Sequence, residues 1–400
     1  MNFSIIKDGI FILLVEVMFM FKFNLGGEIS LGEFALIIWF LLFFRKLTGV
    51  VFWKPFLHLY AFLLSAQLFS EFFVSNGFND SMRGLMVTIV SFIHLSFLLY
   101  YGCNDKRFLL FAFLGAAISI LMQKMDEDVS MDIIESGEAA AYVKMRLAPA
   151  VGYIIMTASV FINRKINFAI FTLVGAIIVL LGARSGGMFI FVSGILGYYL
   201  SSSKNISIKS KIPSIILALI ILYVGYCYYA TGVLEGRIVS GNNKQILSMS
   251  NPYNPLELLY VGRGEFFVGI QAFIDKFWLG FGAWAKDNTG HYWDMLHKMK
   301  GLDSDWHGVW LPVHSILIGW GVYNGILCFI AGSRIVIFTL KNSFLFLKYG
   351  LYDNRYMSCI SYCLISFLWN LLFSPPSHFR YTLPLLMVSL LMFNVEKYDK

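Results

Sequence analysis

Twelve predominantly apolar runs alternate with short polar breaks along the 400-residue chain, and one polar break is long. A membrane span needs about 20 mostly apolar residues at about 1.5 Å of rise each. On that criterion the runs fall at residues 5–23, 30–44, 55–70, 84–101, 107–123, 147–162, 166–183, 186–200, 212–231, 315–335, 356–373 and 382–395. The eighth is short, and Arg334 interrupts the exit of the tenth. This pattern predicts an all-α polytopic membrane protein of about twelve transmembrane helices, forming a single integral membrane domain over 1–400. The long break, 232–311, lies between spans nine and ten, just before the third-last helix; a smaller break covers 124–146.

Inside the long break the periodicity changes. Residues 242–255 (NNKQILSMSNPYNP) carry two Asn-Pro dipeptides, which disfavour helix and favour turns. From Gly264 to Phe277 the apolar residues Phe266, Phe267, Ile270, Phe273, Ile274 and Phe277 recur every three or four positions, the spacing of one helix face. This segment is expected to form an amphipathic helix lying on the bundle, ended by Gly280 and Gly282. The stretch from Thr231 to His314 also holds four of the seven histidines and five of the nine tryptophans, so chemistry is expected there.

Composition strengthens the membrane reading. Hydrophobic residues make up 58% of the chain and the mean hydropathy is +0.70, against about 45–50% apolar residues in soluble domains. The run Gly9–Phe23 lacks a small-residue cleavage site and is expected to remain as the first span. The net charge of +7 is spread in ones, twos and threes between apolar runs, a pattern of membrane topology and not of a nucleic-acid surface. With alternate short loops assigned to opposite sides, one side collects sixteen Lys and Arg, including Arg45, Lys46, Arg164, Lys165, Lys341 and Arg355, and the other seven. The richer side is the cytoplasmic one. Both termini are then cytoplasmic, and 232–311 and the acidic 124–146 are periplasmic. The five cysteines sit in or beside apolar runs, which argues against a disulfide or metal framework; Cys359 and Cys363 read as small apolar fillers.

Arginines on the external side run against the positive-inside tendency and call for a reason. Arg146 begins span six, Arg184 lies in GARSGG and Arg263 in VGRGEF. A guanidinium offers a planar fork of donors that matches phosphate oxygens, and the adjoining glycines 182, 186, 187, 262 and 264 would let backbone approach a ligand. Each arginine alone is equally explained by lipid headgroups or by a carboxylate such as Glu138 or Glu265; three together favour a ligand. His314 opens span ten, where a histidine can accept a proton or cap a helix. His291, His297 and His307 lack metal-ligand spacing and read as loop surface. Asp303 and Asp305 form a weak DSD cation signal, and a hydrated loop explains them without a metal. The tryptophans read as interfacial anchors or sugar-stacking platforms. Glu16, an acid within span one, is the feature that most favours transport.

The segments GARSGG (182–187), GRGEFFVGIQAFIDKFWLGFG (262–282) and HSILIGWGVYNGI (314–326), with a large external loop before the third-last span, resemble the bacterial O-antigen polymerase and O-antigen ligase superfamily over residues 146–330. The resemblance implies a GT-C-like bundle in the bacterial inner membrane, with its active site facing the periplasm. It implies that Arg184 and Arg263 bind the diphosphate of an undecaprenyl-linked oligosaccharide, that Arg146 belongs to the same substrate site, and that His314 acts at the acceptor hydroxyl, with Glu265 the next candidate. Neither metal nor cofactor is implied, because cationic side chains can stabilise a leaving diphosphate. A chain-length regulator and a flippase are the implied protein partners, with no nucleic acid. Three positions depart from the family pattern: Ser315 follows His314 where Asn is common, Ala183 precedes Arg184 where Ser is common, and Ile274 stands eleven residues after Arg263 where some polymerases have Gly. Polymerase is the preferred reading; ligase, and from another class a flippase of lipid-linked sugars, remain alternatives.

The topology is directly testable. Cysteines introduced at Ser202 and Asn288 are expected to differ toward an impermeant thiol reagent applied to cells with a permeabilised outer membrane, Asn288 labelling and Ser202 not. The opposite pattern inverts the assignment.

Overall fold

A computed structural model of the chain describes residues 3–24, 27–123, 141–201, 212–237, 246–301, 308–348 and 354–393. Among these residues the protein is mostly helical, with a single two-stranded hairpin. Helices α1 (Phe3–Val17), α2 (Leu31–Leu47), α3 (Trp53–Phe73), α4 (Phe78–Asn104) and α5 (Phe108–Met122) are followed by α6 (Ala148–Ser159), α7 (Arg164–Leu180), α8 (Arg184–Ser201) and α9 (Ile212–Leu234). The long polar stretch contributes α10 (Pro255–Gly262), α11 (Gly264–Asp275) and α12 (His291–Lys300), and the chain ends with α13 (Ile316–Lys348), α14 (Met357–Phe373) and α15 (Thr382–Met392). Four described segments are helical and apolar over enough length to cross a membrane: Trp53–Phe73, Phe78–Asn104, Ile316–Phe344 and Asn354–Phe373. The protein is a mostly helical, membrane-embedded one.

Local sequence sets several helix starts. Ser30 and Glu33 form a reciprocal cap on α2, the Glu33 N–H donating to Ser30 Oγ and the Ser30 N–H to Glu33 Oε2. The strands β1 (Lys22–Asn24) and β2 (Glu28–Ser30) pair antiparallel just before it. Asn254 caps α10 and Pro255 occupies its first turn, so the Asn-Pro dipeptide acts as a helix start. Ser315 accepts the Ile318 N–H at 3.1 Å and donates to the Leu371 carbonyl at 3.2 Å. Ser315 thus caps α13 and ties it to the end of α14.

Two features of the tenth span depart from expectation. Arg334 does not end it: α13 continues to Lys348, and the Arg334 guanidinium lies 5.6 Å from the Phe62 ring of α3, so the charge is accommodated on an aromatic face. The helix is instead broken in its middle, at Asn324 (φ −131°, ψ 15°) and Gly325 (φ 74°, ψ −172°).

Backbone groups freed by a break in an apolar surrounding need partners. Here the segment after α11 supplies them. The Phe281 N–H donates to Val322 O and the Gly282 N–H to Tyr323 O, both at 2.8 Å, and the Ile326 N–H donates to Phe277 O at 2.9 Å. Gly280 and Gly282 have φ of +74° and +82°, and a Cβ on Gly280 would come within 2.6 Å of the Tyr323 carbonyl. The Gly-x-Gly therefore does more than end α11; it lets this segment lie against the broken helix.

One buried carboxyl fastens the junction from the far side. Glu71 Oε1 accepts the Ala283 N–H at 2.6 Å and the Asn324 side-chain amide at 3.0 Å, while Oε2 accepts the Ser81 hydroxyl. Ser70 Oγ donates to Leu279 O, and Asn76 Nδ2 to Phe281 O and Ala283 O. The α3–α4 turn, the Gly-x-Gly segment and the α13 break are thereby one hydrogen-bonded unit. Glu71→Ala leaves the Ala283 N–H and the Asn324 amide without their acceptor, at about 1–3 kcal/mol each. The expected outcome is a lowered melting temperature with faster amide exchange at 278–283, and a milder effect for Glu71→Gln, which keeps one oxygen acceptor.

Candidate functional site

The three arginines lie along one end of the bundle, each held by an aromatic ring or a polar partner. Arg263 forms the corner between α10 and α11, with φ −135° and ψ 36°. Its guanidinium lies 4.7 Å from the Trp369 ring and 5.7 Å from that of Phe373, one turn apart on the last part of α14. Trp369 also meets Phe189 of α8 at 5.2 Å. Arg184, the first residue of α8, precedes Phe189 by about a turn and a half, and its guanidinium lies 4.8 Å from the Tyr229 ring of α9. Its Nη2 is buried and finds no hydrogen-bond partner among the described residues.

Arg146 joins the same end. It lies in a wide π-type turn, Val143–Leu147, that leads directly into α6, and its Nη1 donates to Gln123 Oε1 at 2.8 Å. It is therefore helical and not the last residue of a loop; of the expected loop 124–146, residues 124–140 lie outside the described residues. Two residues on from Arg146, Ala148 abuts Gly186, itself two residues on from Arg184: a Cβ on Gly186 would stand 2.8 Å from that of Ala148. Helix packing thus brings the starts of α6 and α8, which carry Arg146 and Arg184, close together, and Trp369 bridges Phe189 of α8 to Arg263.

The role expected for the glycines changes. Gly186 meets Ala148, Gly187 meets the α7 backbone at Gly175, and Gly264 meets Leu296 of α12. They let helices approach one another and so place the arginines, instead of admitting a ligand to the backbone. The buried stripe of α11 is likewise Gly264, Val268, Gly269 and Ala272, whereas Ile274 and Phe277, expected on the packed face, are exposed. Small residues win that face because α12 and the head of α13 press close on it.

A second group of side chains stands next to Arg263. Glu265, in the first turn of α11, accepts from Lys300 Nζ at 2.7 Å, their side chains being 15% and 16% exposed. Burial alone would raise the Glu265 pKa. The Lys300 charge, the nearby His314 and the hydrogen bonds more than offset it and hold the group at about 2. His314 is exposed just ahead of α13, as expected of it, and its charge is also felt by His378, in the short 3₁₀ turn Pro376–Phe379 between α14 and α15. His378 Nδ1 lies 3.2 Å from Asn370 Oδ1, one residue past Trp369. The arginines, Glu265, His314 and His378 are thereby gathered around the end of α14.

Other expectations are corrected or displaced. Glu16 is no open intramembrane acid: it is buried on His94 of α4, Oε1 to Nε2 at 2.8 Å. His297 is buried in α12, with its ring 6.0 Å from Trp293, and is not loop surface. Asp303, Asp305 and His307 lie outside the described residues. Among the described residues no group of three or more His, Cys, Asp or Glu side chains is placed to hold a metal. Trp284 and Trp310 lie near the Arg83 guanidinium at 4.2 and 5.9 Å, so these rings carry a cation.

Glu71, His94, Lys300, Trp369 and His378 escaped the sequence reading. Glu71 carried the same signal as Glu16, an acid among apolar residues in LFSEFF, but it falls just past the expected end of span three.

The Lys300–Glu265 pair generates a prediction with a definite sign. Because the folded pKa of Glu265 lies below the ordinary 4.5, its contribution to stability is complete above about pH 4.5 and is lost as pH falls toward 2. Lys300→Met leaves Glu265 with its burial and without its nearest cation. The expected loss is about 1.5–3 kcal/mol of local stability, read as weaker amide-exchange protection of 264–275 at neutral pH. Unchanged protection shows that the pair does not hold α11. Compared with known proteins, the chain matches no protein-family model and no curated protein, so the site rests on its own geometry.

Proposed function

We propose that this chain is a surface-polysaccharide polymerase that transfers a growing glycan from undecaprenyl diphosphate to the next lipid-linked repeat unit, working at the outer face of the bacterial inner membrane. In this reading the helices form a twelve-span, GT-C-like bundle with both termini in the cytoplasm. The observation that carries it is the gathering of Arg146, Arg184 and Arg263 at one end of an apolar bundle, with a buried Arg184 nitrogen unpaired among the described residues. A lipid diphosphate suits such a place: its chains lie with the apolar helices, its phosphates meet guanidinium forks, and its glycan extends toward α10–α12.

The chemistry follows from the charges. Attack by an acceptor hydroxyl on the anomeric carbon expels the lipid diphosphate, and preorganised cations stabilise the negative charge that develops on it. Arg184 and Arg263 lie over aromatic rings, which limits their rotamers without neutralising them. His314 addresses the acceptor hydroxyl beside Glu265. A ligase differs in acceptor and uses the same groups. A flippase reading leaned on Glu16, and the buried Glu16–His94 pair gives that acid a structural partner.

The test is arginine geometry. Arg184→Lys and Arg263→Lys keep the charge and lose the bidentate fork, so each is expected to cost about 2–4 kcal/mol of transition-state stabilisation, or about 10²–10³ in rate. The readout is glycan chain length in a deletion strain carrying each variant at normal protein levels. Wild-type chain length from both variants refutes the diphosphate role. In the strain lacking the protein, single repeat units on the lipid A core identify a polymerase, and polymer retained on the lipid carrier identifies a ligase.

A further inference from the structure

His378 sits in a small network whose hydrogen-bond directions can be read without reference to any substrate. Asn370 Nδ2 donates to the Ser366 carbonyl at 2.7 Å, which fixes the orientation of the Asn370 amide, because a carbonyl only accepts. Its Oδ1 then points the other way and accepts from Ser374 Oγ at 2.8 Å and from His378 Nδ1 at 3.2 Å. An amide oxygen cannot donate, so the proton of this contact belongs to His378 Nδ1. Neutral His378 is therefore the Nδ1–H tautomer, and its Nε2 carries a lone pair. The residue is exposed just past the end of α14, and its partner Asn370 is one residue along from the Trp369 that carries Arg263.

We propose that His378 is the general base of the transfer, taking the proton of the acceptor hydroxyl at Nε2, with Asn370 as the positioning residue that fixes its tautomer. The inference rests on the transferase reading above and assigns within it a residue that neither the motifs nor the resemblance pointed to. The step balances. The hydroxyl oxygen forms a bond to the anomeric carbon, the bond from that carbon to the diphosphate oxygen breaks, the electron pair leaves with the diphosphate, and the hydroxyl proton passes to Nε2. The imidazolium then returns the proton to water or to the departing diphosphate.

The two histidines divide the labour, His314 orienting the acceptor hydroxyl and His378 taking its proton. His314 stands where its charge stabilises ionised Glu265 and opposes a charge on His378. Partial desolvation against the end of α14, and then the His314 charge, lower the His378 pKa, so the ring is neutral at physiological pH. On the elements packed against this turn, Arg380 is paired with Glu33 and His94 with Glu16, and Tyr381 adjoins Arg380. A weak base suffices because the hydroxyl becomes strongly acidic as its oxygen bonds to the anomeric carbon.

The experiment uses purified full-length protein in lipid nanodiscs, with lipid-linked glycan extracted from cells that lack it, and follows polymer formation against pH. Wild type is expected to hold its activity down to an acid limb below the ordinary histidine range near 6.5. His378→Gln is expected to lower turnover about 10²–10⁴-fold with little change in KM. Asn370→Asp places a carboxylate on Nδ1–H, keeps the tautomer and favours the imidazolium, so activity is expected to persist while the acid limb moves to higher pH. A merely structural Asn370 would not move that limb. If wild type polymerises and His378→Gln does too at full rate, or if Asn370→Asp leaves the limb in place, the His378 assignment is overturned and the transferase reading stands. If wild type makes no polymer from this glycan, the transferase reading falls and this assignment with it.

Discussion

The constraint on which this structure turns is that a helix broken in an apolar setting must give its freed N–H and C=O groups to something other than water. Asn324 and Gly325 break α13, and the segment after α11 answers with three backbone hydrogen bonds. Glu71 then joins that segment to the break, reaching both the Ala283 N–H and the Asn324 amide. Losing any one of these partners would leave a buried polar group unsatisfied, which costs more than an ordinary hydrogen bond contributes. The long polar stretch is consequently anchored into the bundle at 277–283, and the placement of α11 follows from that anchor.

From there the path to the site is short. The anchor fixes the end of α11, the small-residue stripe of that helix sets its distance from α12 and α13, and its first residues carry Arg263 and Glu265 to the end of α14. Glycines in α7 and α8 do the same for Arg184 by allowing those helices to touch. Aromatic faces then hold the cations, Trp369 for Arg263 and Tyr229 for Arg184. A ring holds a guanidinium without cancelling its charge. Glu265 is paired with Lys300, and Arg263 packs on the Trp369 ring.

Charge elsewhere in the bundle is treated differently. Glu16 is paired with His94, and Glu33 with Arg380, both acids buried. Isolated ionised groups are costly in a low-dielectric interior, so acids and bases there meet in pairs.

The sequence by itself determined what depends on neighbours a few residues away. Hydrophobic runs marked the helices, the three- and four-residue spacing marked α11, and arginines beside apolar runs marked the residues worth following, whereas the Asn-Pro dipeptide read as a turn and the structure makes it the start of α10. Each is a local signal, because period and hydropathy are written within one turn or one span. Tertiary structure decided everything that depends on a partner far along the chain. Asn324 meets Glu71 across 253 residues and Glu16 meets His94 across 78, and nothing local announces either contact. The same distance in sequence hid the continuation of α13 past Arg334 and the true work of the glycines. In each of these, a side chain's role is set by which atom of another helix lies within hydrogen-bonding or van der Waals reach, and only the packing of the bundle brings those atoms together.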